Sequence, residues 1–136
     1  MITSPNFSFL SPYDPLLLDL AAAAERYCFS DPVVALIRLR LLGETMALQT
    51  AAAVAALPNQ ERVVDFSTAL RLLEDKNAMS RETAQIFHHL RQVGNRAAHE
   101  NVGSRGDALH ALRLAQRAAI WFHRTLTDLK FKSPVR

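Results

Sequence analysis

The stretch Leu90-Arg-Gln-Val-Gly-Asn-Arg-Ala-Ala-His-Glu100 decides how this chain is read. Arg91, Asn95 and His99 recur at every fourth position, a spacing that keeps them along one side of an α-helix and drifts only about 40° per step. Gly94 and Ala97 fall on the apolar side, beside Leu90. A glycine inside a helix costs about 1 kcal/mol against alanine. A chain accepts that cost most readily where another backbone must come close. The segment therefore predicts one helix carrying both a tight packing surface and a row of polar groups. An ordinary reading stands beside this one: a solvated helix edge, with a histidine favoured near the C-terminus by the helix dipole.

Around this segment the chain reads as helix throughout. Glycine is sparse, at 4 residues in 136, while alanine is abundant, and that composition favours helix over sheet. No strand-period alternation and no internal repeat competes. Pro5, Pro12, Phe7 and Phe9 mark residues 1–12 as an extended arm pinned by aromatics. Ser11-Pro12 and Pro15 open a first helix to about Tyr27, with Leu16, Leu17, Leu20 and Ala24 inward. Ser30-Asp31-Pro32 is a second start signal, a capping residue followed by a first-turn proline. The helix behind it, about Val33 to Ala56, is apolar nearly all round and so is expected at the centre. Pro58-Asn59 ends it, and a short helix from about Asp65 to Leu73 follows. Ser80 caps the helix that holds the opening motif, with Glu82 in its first turn. Residues 101–106 form a turn, and Asp107 is expected to cap a last helix reaching about Lys130. The predicted architecture is all-α: one bundle of four to five helices over residues 13–130, with an arm before it and a linker-like tail at 131–136.

Composition narrows the function classes. At 136 residues and 49% hydrophobic content, the chain fits one domain with a real core. Arg38, Arg40 and Glu44 interrupt the most apolar run, so no membrane span is expected. The N-terminus has no basic region ahead of an apolar core, so no signal peptide is expected. The single Cys28 excludes an internal disulfide and suits a reducing compartment. It follows Tyr27 in an apolar stretch and reads as buried and inert. The chain reads as cytoplasmic. Its net charge of +3 is unevenly spread: residues 1–75 carry −4 and residues 76–136 carry +7. That imbalance suits an acidic partner such as nucleic acid, or attraction between the two halves.

Two more sets of polar residues stand out. Arg40 and Glu44 are four apart in an apolar context, so they form an ordinary intrahelical ion pair or face the Arg91/Asn95/His99 row across the bundle. Arg113, Arg117 and Arg124 fall within about 40° of one another on the last helix. Ile120 lies between them and Trp121 beside them, opposite an apolar face of Leu112, Ala115, Ala119, Phe122 and Leu126. A basic stripe of this kind binds a phosphate backbone or an acidic protein surface, or is simply solvated. Trp121 then reads as a rim packer. The five histidines are spread over two helices, and His88-His89 faces two directions. No His-Glu-x-x-His, Cys/His cluster, Gly-x-Ser-x-Gly or phosphate-cradling glycine loop occurs. Metal or ATP chemistry within this chain is not expected.

Six segments occur in a telling order: Asn6-Phe-Ser-Phe-Leu, Ala24-Glu-Arg-Tyr, Ser30-Asp-Pro, Leu39-Arg-Leu-Leu-Gly-Glu44, Leu90 to His99, and Ala119-Ile-Trp-Phe-His123. The series resembles the N-terminal helical domain of type I restriction enzyme R subunits and related DEAD/DEAH-box helicase-nucleases, a domain of unknown function grouped with the HEPN superfamily. The resemblance covers about residues 6–127. It implies a HEPN-like bundle, a fold that often dimerises, belonging with a much larger ATP-dependent motor and nuclease. ATP and magnesium would serve that parent, with no cofactor in this domain.

HEPN ribonucleases use an arginine, a polar residue after it, and a histidine beyond four to six intervening residues, paired across a dimer. Seven residues separate Arg91 from His99 and two separate Arg96 from His99, so neither pair has that spacing, although Gln92 supplies the polar residue. The resulting expectation is a non-catalytic recognition or docking domain of a type I-like restriction subunit. Arg40, Glu44, Arg91, Asn95 and His99 would organise a central polar site. Arg113, Arg117 and Arg124 would contact DNA, other nucleic acid or other restriction-modification subunits. The alternative is a metal-independent HEPN-type ribonuclease or toxin-like effector acting as a dimer, with Arg91, Asn95 and His99 as its candidates. A third reading is a purely structural homodimerisation domain.

Overall fold

The computed structural model describes Ser4 and residues 6–55 and 65–132. Those residues form a 3-10 turn, Ser8–Leu10, and five helices: α1 (Pro15–Tyr27), α2 (Pro32–Ala55), α3 (Phe66–Asp75), α4 (Arg81–Glu100) and α5 (Arg105–Lys132). No strand occurs among them, and the all-α expectation holds. No helix among the described residues is long and apolar enough to cross a membrane.

The helix starts follow local chemistry. Asp14 accepts from the Leu16 N–H (3.0 Å), and Pro15 takes the first helical position, so Asp14 caps α1 in place of Ser11. Asp31 caps α2 by accepting from the Val34 N–H, Asp65 caps α3 and Ser80 caps α4. Asn101 closes α4 in the left-handed region at φ 57°, a conformation that asparagine tolerates better than most residues. The cap of α5 differs from expectation. Ser104 Oγ accepts from the Asp107 N–H and Asp107 Oδ2 accepts from the Ser104 N–H, both at 3.0 Å. Ser104 is thus the cap, and Asp107 closes a reciprocal capping box from inside the first turn. The end of α2 at Pro58-Asn59 and the tail beyond Lys132 lie outside the described residues, and α5 runs two residues past its expected end at Lys130.

α2 packs against all four other helices, as its all-round apolar sequence requires. Leu36, Leu39, Leu42, Met46, Ala47 and Ala51 are fully buried along it. Truncating a residue such as Leu39 to alanine would cost about 2–5 kcal/mol. On α1, Leu17, Leu20 and Ala24 point inward as expected, but Leu16 is 46% exposed. It sits one position off the buried 17/20/24 stripe.

The described part of the N-terminal arm, residues 6–12, is wound where an extended run was expected. Phe7 is buried, and the 3-10 turn follows it. Glu25 of α1 holds the arm down: its carboxylate accepts from the Ser4 hydroxyl and from Asn6 Nδ2 (2.7 Å). A side-chain clamp between residues this distant in sequence leaves no local pattern to read.

Candidate functional site

The α2–α4 seam is built around two glycines. A Cβ added to Gly94 would lie 2.2 Å from Arg40 Cβ and 2.9 Å from Arg40 Cδ. The glycine makes room for the aliphatic stem of Arg40 to cross α4, so the close neighbour is a side chain where the sequence pointed to a backbone. At Gly43, an added Cβ would meet Phe66 at 3.2 Å and Leu90 at 3.4 Å. Arg40 Nη1 lies 3.8 Å from Glu44 Oε1, with both side chains about a quarter exposed. Glu44 thus pairs within its own helix, and among the described residues no other cation comes within 4.0 Å of it.

Arg91 lies one turn before Gly94 on α4. The Nε atoms of Arg40 and Arg91 are both shielded from solvent and lack a hydrogen-bond partner. An unsatisfied buried donor on a charged group costs about 1–3 kcal/mol or more. The row of Arg91, Asn95 and His99 leaves this seam progressively. Arg91 and Asn95 are half-buried, whereas His99 is exposed. The 40° drift per step rotates the last of them out to solvent.

Histidines placed apart in sequence meet in space. His89 on α4 stacks edge-on against His110 on α5 at 5.2 Å between ring centres. Burial, then the neighbouring His110, hold the His89 pKa below its ordinary value, with Asp107 opposing. His88 turns the other way. Burial and Arg91 lower its pKa, with Glu74 opposing. Tyr13 and His123 share a hydrogen bond of 2.7 Å between Tyr13 Oη and His123 Nδ1. None of these pairs had a sequence signature, because each joins helices or segments whose relative register only packing sets. Burial raises the Cys28 thiol pKa, consistent with an inert core cysteine.

On α5, Arg113, Arg117 and Arg124 are all exposed, and Ala115, Ala119 and Phe122 are buried on the opposite side. Among the described residues no carboxylate lies within 4.0 Å of these three arginines. Trp121 is a rim packer: its Nε1 donates to the Ala78 carbonyl (3.3 Å), and its ring meets Phe87 edge-on at 5.3 Å. Arg117 and His123 form a further pair, with the five intervening residues that the ribonuclease spacing allows. Ala118 stands where a polar residue would follow the arginine. Six positions of helix also turn the two side chains about 120° apart, measured the shorter way. His123 is occupied by Tyr13, while Arg117 lines the surface between α4 and α5.

Comparison with known proteins gives the family of the chain. Residues 22–128 match the family described as "Domain of unknown function (DUF4145)". The chain is also 33% identical over 138 aligned residues to the type I restriction enzyme EcoKI endonuclease subunit of Escherichia coli (strain K12). That alignment covers 99% of this chain and 11% of the relative, so the chain spans about a ninth of the relative's length. No solved structure matches. On the family match over most of its length, this chain belongs to the DUF4145 family, in a form similar to part of a restriction endonuclease subunit.

Proposed function

We propose that this chain is a docking domain of a type I-like restriction-modification endonuclease subunit, contacting nucleic acid or partner subunits through the basic face of α5. The observation that carries the reading is the solvent-facing row of Arg113, Arg117 and Arg124, free of carboxylate partners among the described residues. Structural rows of charge on a helix are usually laced with opposite charges, and this one is not. Similarity along 99% of the chain to a restriction endonuclease subunit supplies the setting. The parent would be an ATP-dependent DNA translocase and endonuclease, with ATP and magnesium bound outside this domain. Arg40, Glu44, Arg91 and Asn95 would then serve mainly to set the α2–α4 seam, and His99 its exposed end.

The test is nucleic-acid binding by the purified chain over a salt series with chelator present, together with assembly of the parent's subunits. Replacing Arg113, Arg117 and Arg124 by glutamine should weaken binding and lower the log–log salt slope by about 0.9 per lost phosphate contact on duplex DNA. If DNA contact and subunit assembly both survive the triple substitution, the reading fails. RNA cleaved in chelator, and left intact by His99→Ala protein of unchanged fold, would put the dimeric HEPN-type ribonuclease in its place.

A further inference from the structure

An open groove runs between α4 and α5. One part has a volume of about 310 Å³ and the next about 320 Å³, and the two share Ile86 and Arg117 as lining residues. Its apolar lining is Ile86, Leu114, Ile120 and Trp121, all half-buried. Arg117 and Arg124 stand at its α5 wall, and Glu82 lines the part that holds Leu114 and Arg117. From Leu114 to Arg124 the groove follows roughly 15 Å of helix, about three turns.

We propose that this groove docks an acidic amphipathic helix of a partner protein, with the partner's apolar stripe on Ile86, Leu114 and Ile120 and its carboxylates against Arg117 and Arg124. The inference rests on the docking reading above and names its partner class. Two observations favour a protein helix over nucleic acid. The apolar lining rewards a ligand with an apolar stripe, whereas a sugar-phosphate backbone gains nothing from it. Arg117 and Arg124 are seven residues apart, the two-turn repeat at which carboxylates recur along one face of an opposing helix. Trp121, the one tryptophan, lines the groove with its Nε1 bonded inward to Ala78 and its ring packed on Phe87.

Trp121 also makes the test direct, because its fluorescence reports the groove alone. The probe is a synthetic helical peptide with leucines at i, i+3, i+4 and i+7 and glutamates on the flanks. Duplex DNA and single-stranded RNA serve as competitors. The expected result is a saturable change in Trp121 emission with the peptide. It should be lost in Ile120→Glu protein of unchanged circular dichroism. In the double variant Arg117→Gln/Arg124→Gln, binding should weaken about tenfold, as two partly screened charge pairs would. Absence of binding, binding unaffected by Ile120→Glu, or emission changes driven by DNA or RNA instead would overturn the proposal. If the arginine substitutions disrupt DNA contact or subunit assembly while the peptide never binds, the docking reading stands and this inference alone fails. If the peptide binds as described while assembly and DNA contact ignore those substitutions, the docking reading is the one that falls.

Discussion

Gly94 lies directly beneath the stem of Arg40: a methyl group on the glycine would sit 2.2 Å from Arg40 Cβ. α2 and α4 therefore approach as closely as they do because one residue has no side chain. The obstacle is the base of a side chain, which cannot swing away as a flexible tip can. Gly94→Ala should destabilise the fold by about 1–3 kcal/mol, against the roughly 1 kcal/mol that alanine would contribute in an unobstructed helix. Adding Arg40→Gly, which removes the obstructing Cβ, should recover part of the loss, giving a non-additive double-mutant cycle by chemical denaturation. Additive effects would show that the two residues do not meet.

The start of α5 rests on the reciprocal bonds between Ser104 and Asp107. Ser104→Ala should cost about 1 kcal/mol, the usual worth of an N-cap. Hydrogen bonds from Ser104, first through the backbone, hold the Asp107 pKa below its ordinary value. The folded state thus binds that proton less readily than the unfolded chain. The contribution is complete above the ordinary aspartate pKa and is lost as pH falls through the folded value. Asp107→Asn should flatten the acid limb of a stability–pH curve; an unchanged limb would rule Asp107 out.

His89 titrates below its ordinary value chiefly because it is buried, and secondarily because His110 is beside it. Its sign is opposite in effect to that of a paired histidine. No penalty exists above the unfolded pKa, and stability declines as pH falls from there through the lower folded pKa. In an NMR titration, His110→Ala should move the His89 midpoint upward without bringing it fully to the ordinary value, since burial remains. A downward shift, or none, would contradict the stacked arrangement.

The Tyr13–His123 bond ties the segment before α1 to the last helix. Tyr13→Phe keeps the ring, which also packs edge-on against Phe122, and removes only the hydroxyl. The expected loss is about 0.5–1.5 kcal/mol, with faster hydrogen exchange at residues near the 3-10 turn. Unaltered exchange there would mean the arm is held by the Glu25 clamp instead.

Most of the bundle was legible because helix boundaries are written locally. Asp31-Pro32, Asp65 and Ser80 each satisfy backbone donors within three residues, so their signatures survive any tertiary arrangement. The α5 cap lies three positions before the expected Asp107, because Ser104 and Asp107 are both good capping residues. Only the reciprocal bond shows which stands outside the helix. The arm's winding is carried by i to i+3 backbone bonds such as Leu10 N–H to the Phe7 carbonyl, and its attachment to α1 by Glu25, which has no fixed offset from Ser4 and Asn6, so neither leaves a sequence pattern.

The sequence by itself determined an all-α chain, the central place of α2, and a glycine in α4 waiting for a close neighbour. Those follow from propensity, periodicity and capping, which act over a few residues. Only the tertiary structure decided that the neighbour is Arg40, that Glu44 stays with its own helix, and that His89 meets His110. The same holds for the groove between α4 and α5 beside the arginine row. Such contacts depend on helix crossing and axial register, and those come from packing the whole core at once.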